Sequence, residues 1–334
     1  MSRFPIVTIA IPTYNRVDYL RQAVQSALSQ TYIHIQVIVS DNCSEDGTAG
    51  FVSSIADRRL VFLRQSRNLG MVGNWNVCLE HATGEFFLLL SDDDYLEDRA
   101  IEKLVEALTQ ADVPDRVGLV CCRAWEVDQS SRKMRIDPAC PAREEAKQFA
   151  LEYFRGKRKM HLCSTLLRTA DLREIGGYTQ GSVVLAIDAI VWSRILLRRG
   201  AIAGVYEPLA SYRIHPARTT SSSRMQIWQD DIRALVAVWL EAFQGSPAAE
   251  RRRFESAARH YESWEIAATI NASAGSLRGR RRALGTYWAC RTSFVGIIGI
   301  WNLAGGIVKL LVPEALKRPI RNFHLWEACA SRHS

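Results

Sequence analysis

Ten residues, Phe86 to Tyr95 (FFLLLSDDDY), sharply limit what this chain can become. Five apolar residues lead without a break into Ser91 and three adjacent carboxylates, Asp92, Asp93 and Asp94. The run is too short for a helix and does not alternate, so it predicts a strand buried on both faces of a parallel sheet. The carboxylates then fall at the strand's carboxyl end, where open α/β sheets bind ligands. Like charges about 4 Å apart repel by up to ~4 kcal/mol at an effective dielectric near 20. A solvated acidic turn tolerates that repulsion and a cation site uses it. Taken alone, the stretch fits both.

Its neighbours have the same layout. Val7–Ile11 is β-branched and alternating, a first strand ended by Pro12-Thr13-Tyr14-Asn15-Arg16. Asp18 is placed to cap a helix whose Leu20, Ala23, Val24, Ala27 and Leu28 recur at helical spacing. Ile35–Val39 is a second strand that delivers Ser40 and Asp41, followed by the turn-rich segment 42–48. Leu60–Leu63 is a third strand, Arg67–Gly70 a loop and Asn74–His81 a helix. After the acidic run, Ile101, Leu104, Val105 and Leu108 mark another helix. Alternating strands and helices predict a parallel, doubly wound sheet. Right-handed crossovers put Pro12–Asn15, Asp41 and Asp92–Asp94 on one rim. Three polar clusters on one rim make a site, where one acidic loop does not.

The site does not have the form of a dehydrogenase's. A dinucleotide fold needs a Gly-rich turn after its first strand so that backbone can approach the pyrophosphate, and Pro12–Asn15 contains no glycine. No Walker loop is present either, so any phosphate charge must be met by side chains or a metal.

The middle of the chain is mixed. Val117–Cys121 is strand-like, residues 126–147 are polar and loop-like, and Leu162–Leu167 is apolar. Gly176-Gly177-Tyr178 is a turn. A helix from Ile187 turns Ile190, Val191, Ile195 and Leu197 inward. Asp188 stands at its start, where a carboxylate also complements the helix dipole by under ~1 kcal/mol. Tyr212-Arg213-Ile214-His215-Pro216 closes the region.

These motifs, in this order, resemble family 2 glycosyltransferases with the GT-A nucleotide-sugar-binding fold. The likeness is carried by Val7–Arg16, Val37–Thr48, Arg67 with Gly70, Gly84-Glu85, Leu90–Tyr95, Gly176–Tyr178, Asp188 with Trp192, and Tyr212-Arg213 with His215. It covers about residues 5–220, and the serine followed by three aspartates is similar to bacterial transferases that build lipid-linked surface polysaccharides. The resemblance implies an α/β catalytic domain over 1–220 with a mainly parallel central sheet, and a helical C-terminal region over 221–334. It implies inverting transfer of a sugar from a nucleoside diphosphate sugar to an acceptor hydroxyl on a glycan or lipid-linked glycan.

In that reading Pro12, Thr13, Asn15, Asp41, Arg67, Asp92 and Arg213 bind the donor, with Asp41 accepting from the base. Mg2+ or Mn2+ is held by Asp93, Asp94 and His215, and Asp188 is the general base. The family's metal motif is usually Asp-x-Asp, which here is Asp92-x-Asp94 or has Ser91 in its first position with Asp93 as the direct ligand; alignment on Asp-Asp-Tyr favours Asp93. The base commonly follows a glutamate, whereas Ile187 precedes Asp188 here.

The net charge of +8 is uneven: residues 225–334 carry 15 Lys and Arg against 9 Asp and Glu. The excess suits an anionic partner, and an anionic membrane surface fits the resemblance. Trp228, Ile232, Leu235, Val236, Trp239, Leu240 and Phe243 form a helical stripe. Arg251–Arg253 and Arg278 with Arg280–Arg282 are basic clusters. Phe294–Val312 is apolar but interrupted by Asn302 and Lys309, which suits a buried or surface-docked helix better than a spanning one. Lys317, Arg318 and Arg321 follow it.

The eight cysteines show no metal-ligand spacing and read as reduced thiols. With no cleavage pattern at the amino terminus, the expectation is a cytoplasmic protein, peripheral on the inner face of the membrane. A sugar-phosphate nucleotidyltransferase would want a Gly-rich basic loop after the first strand, which is missing. A nucleic-acid-binding role has the charge but none of the recognised motifs, so no nucleic-acid partner is expected.

Overall fold

A computed structural model describes residues 4–109, 114–178, 186–215 and 225–273. Residues up to Ala258 form one compact unit and Arg259–Ser334 a second, of which the described part is the end of one helix. Phe294–Val312, Arg278, Arg280–Arg282, Lys317, Arg318 and Arg321 lie outside the described residues.

The chain opens with β1 (Val7–Thr13), α1 (Val17–Leu28), β2 (Ile35–Asp41), α2 (Thr48–Ser53), β3 (Leu60–Arg64), α3 (Gly70–Glu80) and β4 (Phe86–Leu89). These four strands pair in parallel in the order β3-β2-β1-β4. Every residue of β4 is buried, as a non-alternating apolar run requires. Alternate side chains go to opposite faces. Ile9, Ile11, Val37, Val39, Phe86 and Leu88 join one core with Leu20, Val24 and Ala27 of α1. Helix α3 packs on β1 and β2 from the other side, burying Val72, Trp75, Cys78 and Leu79.

The second half continues with β5 (Tyr95–Leu96), α4 (Ala100–Thr109), β6 (Val117–Val127), β7 (Lys133–Ile136), β8 (Arg143–Glu145) and α5 (Ala146–Phe154). Then come β9 (Thr165–Arg168), α6 (Thr169–Glu174), α7 (Ile187–Arg199), β10 (Ala201–Arg213), α8 (Met225–Phe243) and α9 (Ala248–Ser273). The sheet is not parallel throughout. β9 inserts antiparallel between β4 and β6, and β10 then runs parallel to β6. Two reversals restore the direction, so β1, β2, β3, β4, β6 and β10 all end on one rim.

The structure corrects several details. β1 runs through Pro12 to Thr13: its pairing with β2 continues to Thr13 opposite Asp41, while its pairing with β4 ends at Ala10 opposite Leu89, so proline's missing donor falls where one side of the strand is no longer paired. Asp18 is not the cap of α1. Arg16 occupies that position with no side-chain cap bond, and the Val17 N–H is accepted by Asp46 from the neighbouring loop. The helix expected over 74–81 starts earlier, at Gly70, whose φ of 75° suits glycine.

Residues 126–147 are not a loop. They carry the end of β6 and the edge strands β7 and β8. Apolar patterning misses them because β7 is almost wholly exposed, and buried Glu126 and Asp137 are satisfied by Arg135, Lys159 and His161. Leu197 faces solvent, while Ile195 and Leu196 fill the inward positions of α7.

The compact unit runs on past residue 220 because α8 packs against α7. Ile232, Leu235, Trp239 and Phe243 are buried there, as the stripe predicts. Arg251–Arg253 are exposed on α9. Among the described residues no helix is long and apolar enough to cross a membrane.

Candidate functional site

Three loops leave the rim and tie one another down. After β2, Asp41 Oδ1 accepts the Ser44 N–H at 2.8 Å, closing a tight turn in which Cys43 has φ 71°. That is a left-handed conformation costly for a side-chain-bearing residue, by about 1–2 kcal/mol. Asn15, after β1, also adopts a positive φ of 52°, donates its N–H to Ser44 Oγ and accepts the Glu45 N–H on its side chain. Asn42 donates to Asn68 and Gly70 and accepts from Leu69, holding the loop that carries Arg67. Arg67 itself is exposed.

This frame leaves one acceptor open. Asp41 is fully buried, and its Oδ2 makes no hydrogen bond; Arg64 Nε stands 3.5 Å away. A buried carboxylate oxygen without a donor is expensive, by roughly 1–3 kcal/mol or more. The atom is suited to an N–H brought by a ligand.

The three aspartates of the opening stretch point different ways. Asp92 accepts from Thr13 Oγ1 at 2.8 Å and from Arg16 Nη1 at 3.3 Å. Burial, and then the charge of Asp93, push its carboxyl up to about 7 against the pull of Arg16. Asp93 Oδ2 meets Arg16 Nη1 at 2.9 Å and His215 Nε2 at 2.8 Å. Asp94 turns inward: it accepts the Arg213 N–H at 2.9 Å beside the Cys163 thiol, and burial with the charge of Asp93 pushes its carboxyl well above the usual range. Asp93 and His215 are therefore brought together, and Asp94 is drawn into supporting them.

Arg213 differs from its expected place on the nucleotide. Its guanidinium is buried and engaged through all three nitrogens: Nε donates to the Asp93 carbonyl, Nη1 to the Asp128 and Gln129 carbonyls and Ser131 Oγ, and Nη2 to Gln22 Oε1. Tyr19 lies under both Arg213 and His215. Arg213 is the post on which the Asp93 backbone and the loop after β6 are hung.

Asp188 lies in the first turn of α7. Ile195 and Arg199, at the end of α7, pack against Gly118 at the start of β6, so the start of the helix, with Asp188, is turned toward the end of that strand where the rim lies. Burial pushes the Asp188 carboxyl up to about 6, against the Ala189 N–H it accepts at 2.7 Å. A carboxylate poised there suits proton abstraction near neutrality. Tyr178, set by the positive-φ pair Gly176 and Gly177 and clamped by Asn76, buries an unpartnered hydroxyl nearby; burial and the Asp188 charge both raise its pKa.

Sequence reasoning missed two residues. Arg16 is one, named only as a turn residue. The other is Asp231 on α8, fully buried, whose Oδ2 accepts the Ala186 N–H just before α7. An acidic side chain on an otherwise apolar helical stripe was its available signal.

Among the described residues, no three His, Cys, Asp or Glu side chains close into a metal cage. The rim offers an open half-site, the Asp93 carboxylate with the His215 imidazole. Mg2+ usually takes one or two carboxylates and completes its shell with phosphate oxygens and water. The donor set fits a divalent cation that shares its shell with a diphosphate.

Residues 8–170 match the model of glycosyl transferase family 2. An "uncharacterized glycosyltransferase" of Rickettsia typhi is 29% identical over 225 residues, 67% of this chain and 68% of that protein. The GalNAc(5)-diNAcBac-PP-undecaprenol beta-1,3-glucosyltransferase of Campylobacter jejuni is 36% identical over 105 residues, 30% of this chain and 34% of that protein. Among solved structures, S. aureus TarS 1–349 in complex with UDP-GlcNAc superposes with a TM-score of 0.62 at 17% identity, covering 80% of this chain and 79% of that one. The mannosyltransferase PcManGT of Pyrobaculum calidifontis, in complex with GDP-Man and Mn2+, gives 0.53 at 19%, covering 93% and 88%. At these identities the structural likenesses speak for the fold, which is the expected α/β GT-A type with a mostly parallel, mixed central sheet.

Proposed function

We propose, from the premise that residues 8–170 are a glycosyl transferase family 2 domain, that the chain moves a sugar from a nucleoside diphosphate sugar to an acceptor hydroxyl with inversion. The observation that carries the reading is the pairing of two features on one rim. Asp41 offers a buried acceptor that takes no hydrogen bond, and Asp93 with His215 offers a half-built cation site.

The donor's base gives its N–H to Asp41 Oδ2. Pro12, Thr13 and Asn15 wall the nucleotide, with Arg67 free to reach it from its loop. Asp93 and His215 would hold Mg2+ or Mn2+, whose charge, when bound, would offset that on the departing diphosphate. Asp188 takes the proton from the acceptor hydroxyl as that oxygen attacks the anomeric carbon; the bond to the diphosphate breaks in the same displacement, and the configuration inverts. Asp94 and Arg213 keep the Asp93 loop in place.

The acceptor we favour is a lipid-linked glycan. The C. jejuni relative, a glucosyltransferase of an undecaprenol-linked glycan, supports it, as does the +8 charge with its exposed Arg251–Arg253 cluster, which suits peripheral contact with an anionic membrane.

A thermal-shift panel of nucleoside diphosphates and their sugars, with and without Mn2+, tests the reading. Stabilisation by at least one nucleoside diphosphate sugar, larger with Mn2+, is expected. No response to any of them, with or without the metal, contradicts it.

A further inference from the structure

Arg16 is an unusual residue for its position. It stands at the N-cap of α1, where Ser, Thr, Asp and Asn are favoured and where the positive end of the helix dipole disfavours a cation. It makes no side-chain cap bond, and the free Val17 N–H is accepted by Asp46 instead. The chain has moved the capping work to another loop and placed a guanidinium on the rim. That guanidinium bridges two carboxylates, reaching Asp92 Oδ1 at 3.3 Å and Asp93 Oδ2 at 2.9 Å through one nitrogen. Its side chain remains 29% exposed, against 8% and 12% for its partners, so it can leave them without unpacking the core.

The oxygen it holds is also the one His215 approaches. Asp93 Oδ2 therefore serves both an arginine and the imidazole expected to share a cation with it. A divalent cation on Asp93 makes two cationic groups share one carboxylate, and Arg16 is the one exposed enough to leave.

We propose that Arg16 is a positioning residue that exchanges anions. It neutralises Asp92 and Asp93 while the donor is away. When a divalent cation takes Asp93, Arg16 turns to the donor's diphosphate. This rests on the metal-assisted reading of the rim. It makes cation and donor binding mutually supportive, because each removes a competitor of the other. It also keeps the acidic run from holding stray cations tightly in the absence of donor.

Removing the guanidinium then acts with opposite signs on the two ligands. Calorimetric titrations of the full chain with Mn2+ alone, and with UDP and GDP at saturating Mn2+, read both. For Arg16→Gln, Mn2+ alone binds about tenfold tighter, and the nucleoside diphosphate that binds wild type is weakened about tenfold or more. Arg16→Lys, which keeps the charge but not the fork, falls between and guards against a folding defect in the glutamine variant.

If Arg16→Gln weakens Mn2+ and diphosphate together, Arg16 is a structural support and the exchange is wrong. If Mn2+ tightens but diphosphate binding is unchanged, the handover is wrong. If neither changes, Arg16 is a bystander. If wild type itself binds neither Mn2+ nor a diphosphate, the reading of the rim fails first and takes this proposal with it.

Discussion

The Asp93 carboxylate and the His215 imidazole meet at 2.8 Å although 122 residues separate them in the chain. One lies just past β4 and the other just past β10. Their meeting depends on the two sheet reversals around β9, which bring both strand ends to one rim. Asp93→Asn and His215→Ala are expected to leave the circular dichroism spectrum intact and to weaken Mn2+ binding at least about tenfold each, the loss of one charge-assisted ligand contact. Titration with Mn2+ checks it; unchanged affinity in both would move the cation elsewhere.

Asp41→Asn keeps the amino-acid volume and the bond to the Ser44 N–H but turns an open acceptor into a donor. Nucleoside diphosphate affinity should fall about tenfold or more, in line with roughly 1–3 kcal/mol for a mismatched buried polar group. Mn2+ affinity should stay put. Equal losses of both would mean that the β2 loop had collapsed rather than lost its contact to the base.

Asp188→Asn should bind donor normally and lose turnover by about 10²–10⁴, the usual contribution of a positioned base. Because Asp188 acts deprotonated with a pKa pushed up to about 6, wild-type kcat/KM should rise with pH up to about 6 and level off above it. The same shift has a stability consequence. Folding raises this carboxyl from its ordinary 3.8, so its ionised form costs the fold stability above about pH 6, and that cost fades as pH falls through 6 toward 4. Asp188→Asn should therefore melt higher than wild type at about pH 8 and show no advantage near pH 4.

Asp231→Ala removes the acceptor that pins Ala186 at the start of α7. The expected cost is roughly 1–3 kcal/mol, a drop of several degrees in melting temperature. Donor KM should hold while kcat falls, since the base-bearing turn loosens and the nucleotide loops do not. A melt with steady-state kinetics separates the two.

Much of this site was legible because strand ends are legible. Pro12–Asn15, Asp41 and Asp92–Asp94 each follow an apolar, β-rich run, and a parallel sheet sends such ends to one rim. What the chain hid are contacts made by direction rather than by pattern. Nothing in a run of three aspartates tells which one turns inward to Arg213, because neighbouring turn residues differ only in backbone dihedrals. Arg213 looked like a ligand-binding arginine because charge and position are visible in sequence and the protein acceptors that engage its guanidinium are not. The edge strands β7 and β8 were hidden for a related reason: their buried neighbours Glu126 and Asp137 are charged, so burial there leaves no apolar trace.

The most direct test is a calorimetric titration of UDP and GDP into wild type with Mn2+, wild type with chelator, and Asp93→Asn with Mn2+. A metal-bridged donor site on this rim gives binding in the first, and affinity at least about tenfold weaker in the other two. Equal affinity in all three would show that nucleoside diphosphates bind without a cation on Asp93, and the rim would lose its proposed chemistry.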